Sequence, residues 1–486
     1  MITYLQIFGQ NYTTILALNL LFSMSIILFE RRNPTSALAW LFFMTLLPGI
    51  GFFFYLLLSQ NYTRRRLFKY THEESHIYYN ALDDQRQIFK EGSYKFNDPR
   101  TNQYIDSILF HNKLSESLYT QNNTIKIYTS GRDKFNDLMH DMENASNHIH
   151  LLYYIVKNDA ISNEIFELCK SKAREGITVR LLLDHVGSRN VPRKVIHSLR
   201  ESGCEVAFFF PSFLKFFNPR TNYRNHRKIA IIDGDYGYVG GFNIGDEYLG
   251  YKKRFGKWRD THLRICGDGV ISLQIRFLLD WRLASKKVVA IDTSFIHEAA
   301  ENTGSAGMQI VSSGPEDVNQ QIKQGYIKMI NSAKDYIYIQ TPYFVPDESI
   351  IEALKIAAVS GVNVCIMFPN KPDHIFVYWA TYSFVGELLQ YGAKAYIYDD
   401  GFIHSKGMIV DDFLASFGTC NFDIRSFKLN FEVNAFIYDK PTAYELRTTF
   451  ENDIKVSTEL TLEGYKQRSF FIKVKESVSR LFSPVL

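Results

Sequence analysis

The sequence is poor in cysteine, with five in 486 residues. The number is odd and no two cysteines form a CxxC pair, so a disulfide framework and a cysteine-rich zinc site are both disfavoured. Each cysteine lies in an apolar stretch, which is typical of reduced, buried thiols in a domain that faces the cytosol. The five are Cys169, Cys204, Cys266, Cys365 and Cys420.

The chain also lacks a strong excess of either charge. Its 55 basic and 51 acidic residues give a net charge of +4, which does not indicate a nucleic-acid binder, so we predict no nucleic-acid partner. A length of 486 residues exceeds one ordinary core and suggests two domain-sized units with additions. Hydrophobic residues reach 46% and aromatic residues 15%, which suits both membrane anchors and strand-rich cores.

No charged side chain precedes Glu30, and two uncharged runs occupy residues 13–29 and 38–58. A membrane-spanning helix needs ~20 apolar residues, or as few as ~17. We therefore predict that residues 1–70 form a two-helix transmembrane hairpin, with a kink at Pro48. A signal peptide is disfavoured because a basic leader and a small-residue cleavage site are missing. A buried core helix is the alternative, and the close pairing of the two runs argues against it.

Positive charge flanks these runs unequally. Arg31 and Arg32 lie between them, whereas four basic residues follow the second run, at positions 64–66 and 69. The more positive side faces the cytoplasm in membrane proteins. The pattern predicts a multi-pass protein of the cell membrane with the domains that follow residue 70 in the cytoplasm.

The rest of the chain repeats itself. Strand-like runs at 148–156 and 178–184 are matched by runs at 336–345 and 363–369, and the turn glycines Gly176 and Gly361 correspond. Strands that alternate with helices indicate an α/β fold. We predict two pseudo-twofold-related domains with mixed sheets flanked by helices, at 71–300 and 301–486. Residues 71–125 are weakly patterned and have no predicted role.

Each half contains a motif with the same spacing. A histidine is followed by lysine at +2, aspartate at +7, glycine at +14 and asparagine at +17, and five matched offsets make chance similarity implausible. Positions two apart on a strand share a face, so each histidine and its lysine project together. The residues are His226, Lys228, Asp233, Gly240 and Asn243 in the first half, and His404, Lys406, Asp411, Gly418 and Asn421 in the second.

These residue types suit the transfer of a phosphate ester. Lysines and amides can hold phosphate oxygens, while one imidazole attacks phosphorus and the other serves as acid and then base. Asp260 and Glu432 lie at similar late positions in the two halves, and we predict that they orient the histidines. Asp233 and Asp411 are expected to fix the motif strands. A cation two residues from each histidine opposes metal binding, so we predict no metal and no cofactor.

The two motifs resemble the HxKxxxxD signature of the phospholipase D superfamily. Segments from ERRNPTSALAW near the start to a terminal RLFSPVL resemble bacterial cardiolipin synthases over nearly the whole chain. The resemblance implies that two phosphatidylglycerol molecules become cardiolipin and glycerol through a covalent phosphohistidine. It implies His226 as the nucleophile, although the two histidines could be exchanged, and it implies phosphate contact by Ser426. A threonine, Thr419, replaces Gly241 of the first half, and we expect little consequence.

Three other functions remain open at this point. A phospholipase D-type hydrolase would use water as the acceptor, and a related phosphatidyltransferase would use another alcohol. A non-catalytic membrane scaffold is disfavoured by the complete residue sets in both halves.

The last 23 residues, 464–486, interleave basic and apolar side chains. A basic amphipathic helix of this kind can lie on an anionic membrane leaflet. The alternative is a terminal helix packed on the second domain. The expected partners are thus phosphatidylglycerol and anionic membrane lipids.

Overall fold

The computed structural model describes residues 14, 16–24, 34–48, 50–58, 67–211, 223–251, 254–296, 304–371 and 373–483. The described residues up to 58 belong to one compact unit, and those from 67 onward form a second unit. The five cysteines are unpaired, and four of them are buried, which confirms the prediction of free thiols.

The N-terminal unit is helical and apolar. Residues 16–24 are helical, and two further helices follow, α1 (Pro34–Leu46) and α2 (Ile50–Leu58). The helix predicted over 38–58 is therefore wrong as a single element. Proline cannot donate a backbone hydrogen bond and disfavours helical geometry in the residue before it, which explains the break at Pro48. Residues 13, 15 and 25–29 of the first predicted run lie outside the described residues.

The two short helices fold back on each other. The rings of Trp40 and Tyr55 meet edge to face with centroids 5.4 Å apart, and a Cβ on Gly51 would lie 2.7 Å from the Cα of Met44. Asn19 donates a buried hydrogen bond to the Met44 carbonyl. Within the described part of the chain, no helix combines the length and apolarity required to cross a membrane.

The second unit contains thirteen α-helices and 21 strands among its described residues, together with 3₁₀ turns at Pro99–Tyr104 and Asp246–Leu249. The helices are α3 (His72–Lys90), α4 (Ile105–Leu114), α5 (Gly131–Glu143), α6 (Ala160–Arg174), α7 (Arg193–Glu201), α8 (Gly269–Ser285), α9 (Gln321–Ser332), α10 (Glu348–Val359), α11 (Ile375–Leu389), α12 (Ile424–Lys428), α13 (Lys440–Ile454), α14 (Leu462–Lys466) and α15 (Phe470–Leu481). The strands are β1 (Tyr119–Thr120), β2 (Asn123–Tyr128), β3 (His148–Tyr153), β4 (Thr178–Asp184), β5 (Glu205–Phe209), β6 (Arg224–Asn225), β7 (Ile229–Ile232), β8 (Tyr236–Gly240), β9 (Trp258–Arg259), β10 (His262–Gly267), β11 (Gly307–Ser313), β12 (Tyr336–Gln340), β13 (Phe344–Val345), β14 (Asn363–Pro369), β15 (Lys394–Tyr398), β16 (Phe402–Ile403), β17 (Gly407–Val410), β18 (Leu414–Gly418), β19 (Phe422–Asp423), β20 (Asn430–Tyr438) and β21 (Ser457–Glu459).

The two main sheets have the same strand order. The first is β2-β10-β8-β7-β3-β4-β5, and the second contains β11-β20-β18-β17-β12-β14-β15. The strands β3, β4 and β5 of the first sheet are parallel to one another, as are β12, β14 and β15 of the second. Each parallel group joins the rest of its sheet through an antiparallel pair, β3 with β7 and β12 with β17. The prediction of an α/β fold with duplicated, mixed sheets is confirmed.

Local signals explain the elements that repeat. The strands β3, β7 and β17 consist of buried side chains, as expected for strands covered by helices on both faces. The turn glycines Gly176 and Gly361 have φ of 92° and 97°, a conformation that favours glycine. Asp159 and Asp347 cap α6 and α10 with side-chain hydrogen bonds.

Residues 72–120 lie with the second sheet, although the sequence assigned them to the first domain. β1 pairs with β11, and Phe89, Ile108 and Tyr119 belong to the apolar core of the second half. The polar surface of α3 hid this packing from sequence patterns. The site is positioned where these two sheets meet through short strands.

Candidate active site

Both HxK motifs lie between a two-residue strand and a buried strand. His226 and Lys228 follow β6 and precede β7, while His404 and Lys406 follow β16 and precede β17. The prediction placed them on a strand, and only the apolar residues after each lysine occupy one. The histidines are therefore held at the start of a rigid buried strand, outside its ladder.

Each short strand pairs with the opposite half of the unit. β6 lies parallel to the start of β20, and β16 lies parallel to β9. The His226 amide donates to the Phe431 carbonyl at 2.9 Å, and the His404 amide donates to the Arg259 carbonyl at 2.7 Å. The backbone of each motif histidine is thus fixed by the other half.

The histidine side chains are paired with carboxylates in the same crossed manner. His226 Nδ1 lies 2.9 and 3.0 Å from the two carboxylate oxygens of Glu432. His404 Nδ1 lies 2.6 Å from Asp260 Oδ2. Both carboxylates are buried. With Nδ1 occupied, the Nε2 atom of each ring is the one available for chemistry.

Glu432 has further partners that sequence reasoning missed. Thr419 Oγ1 donates to Glu432 Oε2 at 2.5 Å, and Asn430 Nδ2 donates to Oε1 at 3.1 Å. The threonine was expected to have little consequence, but it contacts the carboxylate. The matching position could have indicated this contact, because Gly241 and Thr419 both lie 15 residues after their motif histidines. In the first half, Gly241 lies so close to Asp260 that a Cβ there would be 1.8 Å from its carboxylate.

The middle residues of the two motifs, Arg227 and Ser405, also contact the opposite half. Arg227 donates to the Glu432 carbonyl at 3.1 Å and to the Ser313 carbonyl at 3.2 Å. It forms a buried ion pair with Asp280, with Nη1 2.7 and 2.8 Å from the two carboxylate oxygens. Ser405 Oγ lies 2.8 Å from the Thr261 hydroxyl.

The two motif lysines are buried beside the histidines. Lys228 Nζ donates to the His226 carbonyl at 2.5 Å. Lys406 Nζ lies 2.7 Å from Nδ1 and 3.2 Å from Nε2 of His404, and 3.8 Å from Asp260. Each lysine therefore lies within hydrogen-bond distance of its own motif histidine.

Burial lowers the pKa of all four histidine and lysine side chains of the two motifs. It lowers the pKa of His226 to about 4, against the opposing effect of Glu432. Burial and then the Lys406 charge lower the pKa of His404. Burial also lowers the pKa of Lys406 to about 8 and that of Lys228 well below its usual value. Each histidine pKa also responds to the lysine of the other half, which places both motifs in one electrostatic environment.

The predicted phosphate-binding residues have partners of their own. Asn243 Oδ1 accepts from the Ile155 amide at 3.0 Å, and its Nδ2 donates to the Tyr248 hydroxyl at 3.2 Å. Asp423 caps α12 by accepting from the Ser426 amide at 2.6 Å, and the Ser426 hydroxyl donates to the same carboxylate at 3.2 Å. Asn421 Oδ1 is buried and has no hydrogen-bond partner among the described residues.

Asp233 and Asp411 lie at the far ends of β7 and β17 from the histidines. Asp233 accepts hydrogen bonds from three consecutive backbone amides, those of residues 146–148, at 2.7–2.8 Å. Asp411 accepts from the amides of residues 334–336 at 2.6–2.9 Å. Each carboxylate therefore ties the end of its motif strand to the beginning of a neighbouring strand, β3 or β12.

Aromatic rings line both histidines. Tyr154 meets the His226 ring edge to face at 4.9 Å, and Trp258 lies 5.0 Å from the His404 ring. These rings exclude water from the imidazoles and contribute to the burial that lowers their pKa values. Neither residue was identified from the sequence, because aromatic residues are common throughout the chain.

Together these groups suit attack on a phosphodiester from one side and protonation of its leaving group from the other. Two imidazoles present Nε2, two carboxylates hold Nδ1, and two lysines supply positive charge. Among the described residues, no group of three His, Cys, Asp or Glu side chains could hold a metal ion.

Comparisons with known proteins identify the family. A model described as "Cardiolipin synthase, PLD-like domain" matches residues 138–253 and 326–454, and one described as "Phospholipase_D-nuclease N-terminal" matches residues 17–60. The chain is 48% identical over 469 residues to a cardiolipin synthase of Oceanobacillus iheyensis, spanning 96% of this chain and 97% of that protein. It is also 48% identical over 471 residues to the major cardiolipin synthase of Bacillus subtilis, with the same coverage.

The fold has a solved counterpart. A phosphatidylserine synthase of Haemophilus influenzae superposes with a TM-score of 0.62 at 14% identity, over 78% of this chain and 100% of that one. At this identity the likeness concerns the fold alone. The sequence relatives and the matched domain model together show that the chain belongs to the bacterial cardiolipin synthases, phosphatidyltransferases with two phospholipase D-like domains.

Proposed function

We propose that this site converts two phosphatidylglycerol molecules into cardiolipin and glycerol through a phosphatidyl group carried on His226. The crossed pairing of His226 with Glu432 and of His404 with Asp260 carries the proposal. It supplies two imidazoles that are fixed at Nδ1 and reactive at Nε2. One phosphodiester replaces another, so the reaction needs no nucleotide.

In the first step, Nε2 of His226 attacks phosphorus of the donor lipid. A phosphorus–nitrogen bond forms while the bond to the head-group glycerol breaks, and His404 gives its Nε2 proton to the departing oxygen. The pKa of about 4 keeps His226 neutral, as a nucleophile requires. The negative charge of the bound phosphodiester favours protonation of His404, against the burial that lowers the pKa of this residue.

In the second step, the neutral His404 removes a proton from the head-group hydroxyl of a second phosphatidylglycerol. That oxygen attacks phosphorus, the bond to His226 breaks, and cardiolipin forms. Lys228 and Lys406 stabilise the charge that develops on the phosphate oxygens in both steps. Glu432 and Asp260 orient the rings and stabilise their positively charged forms, and Asn243, Asn421 and Ser426 support the phosphate-binding loops.

We further propose that the N-terminal unit embeds the chain in the membrane, with the catalytic unit on the cytoplasmic side. Its large side chains are exposed, including Leu20, Leu38 and Phe42, and basic residues at 64–66 and 69 follow it. A reporter fused after residue 70 should appear on the cytoplasmic face, and appearance on the outer face would reverse the orientation.

The test uses purified protein in detergent micelles that contain phosphatidylglycerol, with lipid products identified by mass spectrometry. The wild type should form cardiolipin and glycerol in equal amounts, and His226→Ala and His404→Ala should each abolish both. Phosphatidic acid in place of cardiolipin would mean that water is the acceptor, and the hydrolase function would replace this one. Lys428→Gln, a change on the exposed face of α12, is the control and should retain activity.

A further inference from the structure

The terminal helix α15 turns polar side chains toward the protein and apolar side chains toward the solvent. Its buried residues include Glu476 and Ser479. Glu476 accepts from the Tyr465 hydroxyl at 3.0 Å and from Arg468 at 2.7 Å, and Arg480 is ion-paired with Glu387 of α11. The helix is therefore attached to the second half through polar contacts.

Its apolar side chains form one stripe that points away from the protein. Phe470, Phe471 and Leu481 are 74%, 76% and 80% exposed, and Val474 and Val478 between them are also exposed. These positions recur every three or four residues, so they share one face of the helix. A contiguous apolar face of this kind marks a surface that has a partner.

The stripe continues onto the beginning of α11. Phe482, which follows α15, packs against Phe376 with ring centroids 5.8 Å apart. Phe376 and its neighbour Ile375 are both exposed. We call the side chains of Ile375, Phe376, Phe470, Phe471, Val474, Val478, Leu481 and Phe482 the apolar ridge.

Basic side chains border the ridge. Lys466, Lys473 and Lys475 are exposed, and Lys475 Nζ lies 5.1 Å from the centre of the Trp379 ring. The one acidic residue of α15, Glu476, is buried and paired. Apolar side chains flanked by lysines complement a bilayer with an anionic surface. A protein partner would not in general require lysines around an apolar surface.

The end of the ridge at α11 is close in the chain to a carboxylate that affects the active site. Asp373, two residues before α11 begins, is close enough to raise the pKa of Lys406, against the burial that lowers it. The same carboxylate accepts a hydrogen bond from Tyr343, whose ring lies 6.2 Å from that of His374. The α11 end of the ridge therefore begins two residues from a carboxylate whose charge acts on an active-site lysine.

We propose that the apolar ridge is the surface by which the catalytic unit lies on an anionic bilayer, so that lipid headgroups reach the site from the leaflet that holds their chains. This proposal deepens the proposed function, and the part of that function on which it rests is that the substrate is a lipid. Its occupant is the membrane surface itself.

The first test locates the ridge without requiring turnover. An environment-sensitive fluorophore is attached at Phe471→Cys or at Ile356→Cys, in full-length protein with Cys266→Ser. The protein is reconstituted in vesicles of phosphatidylcholine and phosphatidylserine with brominated acyl chains. Ile356 is a matched control because it is 65% exposed on α10. Quenching should be at least threefold stronger at position 471, and equal or weaker quenching there would overturn the proposal.

The second test separates docking from chemistry. Phe470→Ser/Phe471→Ser/Leu481→Ser should lower cardiolipin formation on phosphatidylglycerol vesicles at least tenfold and leave the rate on monomeric short-chain phosphatidylglycerol within twofold. Ile356→Ser/Val359→Ser should leave both rates within twofold. Unchanged vesicle activity in the triple variant, or an equal loss on both substrates, would contradict the proposal. If the wild type forms no cardiolipin on vesicles or on monomeric phosphatidylglycerol, the proposed reaction is contradicted. The quenching experiment would then still show whether the ridge docks on the membrane.

Discussion

Glu432→Gln tests the crossed pairing of the two halves. The substitution keeps the shape of the side chain and removes its charge, so the amide oxygen can still accept from His226 Nδ1, which lies 2.9 Å from the carboxylate. A hydrogen bond to a charged group contributes about 1.5–3 kcal/mol, and one between neutral groups about 0.5–1.5 kcal/mol. Replacing the charged bond by a neutral one in the transition state therefore loses about 1–1.5 kcal/mol, which corresponds to a fall in kcat of roughly five- to thirteenfold.

The assay measures cardiolipin formation from monomeric phosphatidylglycerol, together with the thermal unfolding midpoint. Glu432 is buried, and Thr419 and Asn430 donate to different oxygens of its carboxylate. A glutamine oxygen can keep the bond from Thr419, and its NH2 group can donate to the unpartnered Oδ1 of Asn430 once that amide turns over. The midpoint should therefore change little while kcat falls. Glu451→Gln, at an exposed ion pair with Arg447, is the control and should leave kcat within twofold. A kcat for Glu432→Gln within twofold of wild type would refute the orienting role.

Three further outcomes are expected. The pH profile of kcat/KM should be bell-shaped. Activity falls as pH drops through about 4, because His226 must be neutral to attack. On the alkaline side it falls as His404, whose pKa is lowered, loses the proton that it gives to the leaving group, and it falls again through about 8, because Lys406 must be charged. A flat profile between pH 7 and 9 would contradict the role of the lysine. Asp233→Asn should lower the free energy of unfolding by about 1–3 kcal/mol, because its carboxylate binds three backbone amides, and should leave kcat within threefold; a large loss of kcat at unchanged stability would place it in the chemistry. Arg227→Leu should lower the free energy of unfolding by about 1–3 kcal/mol, measured by denaturant titration, because it removes one of the two arginines that pair with the buried Asp280 and leaves Arg276.

The repeat of five offsets was enough to predict the duplicated sheets and the histidine and lysine pairs. Spacing carries this information because the motif and its buried strand are contiguous in the chain. Asp260 and Glu432 were selected by their similar late positions, and both lie beside a histidine. Their crossing between halves could not be predicted, because it depends on how two separate sheets meet.

Packing between distant segments explains most of what sequence analysis missed. The role of Thr419 depends on a contact with Glu432 13 residues away in the chain, which no pattern within the motif reveals. Residues 72–120 have few apolar positions, yet Phe89 and Ile108 reach the core of the second half. Pro48 predicts a kink within one helix, but the chain forms two helices there that pack against each other. A continuous hydrophobic run does not show whether its two halves pack against each other.

The most direct test of the central claim is to trap the covalent intermediate in His404→Ala with phosphatidyl-p-nitrophenol. This donor has a leaving group that needs no proton, so the first step should proceed while the second lacks its base. A burst of one equivalent of p-nitrophenol is expected, with the phosphatidyl group on the peptide that contains His226, and no burst in His226→Ala. A burst that survives in His226→Ala, or a phosphatidyl group found on His404 in the wild type, would contradict the account.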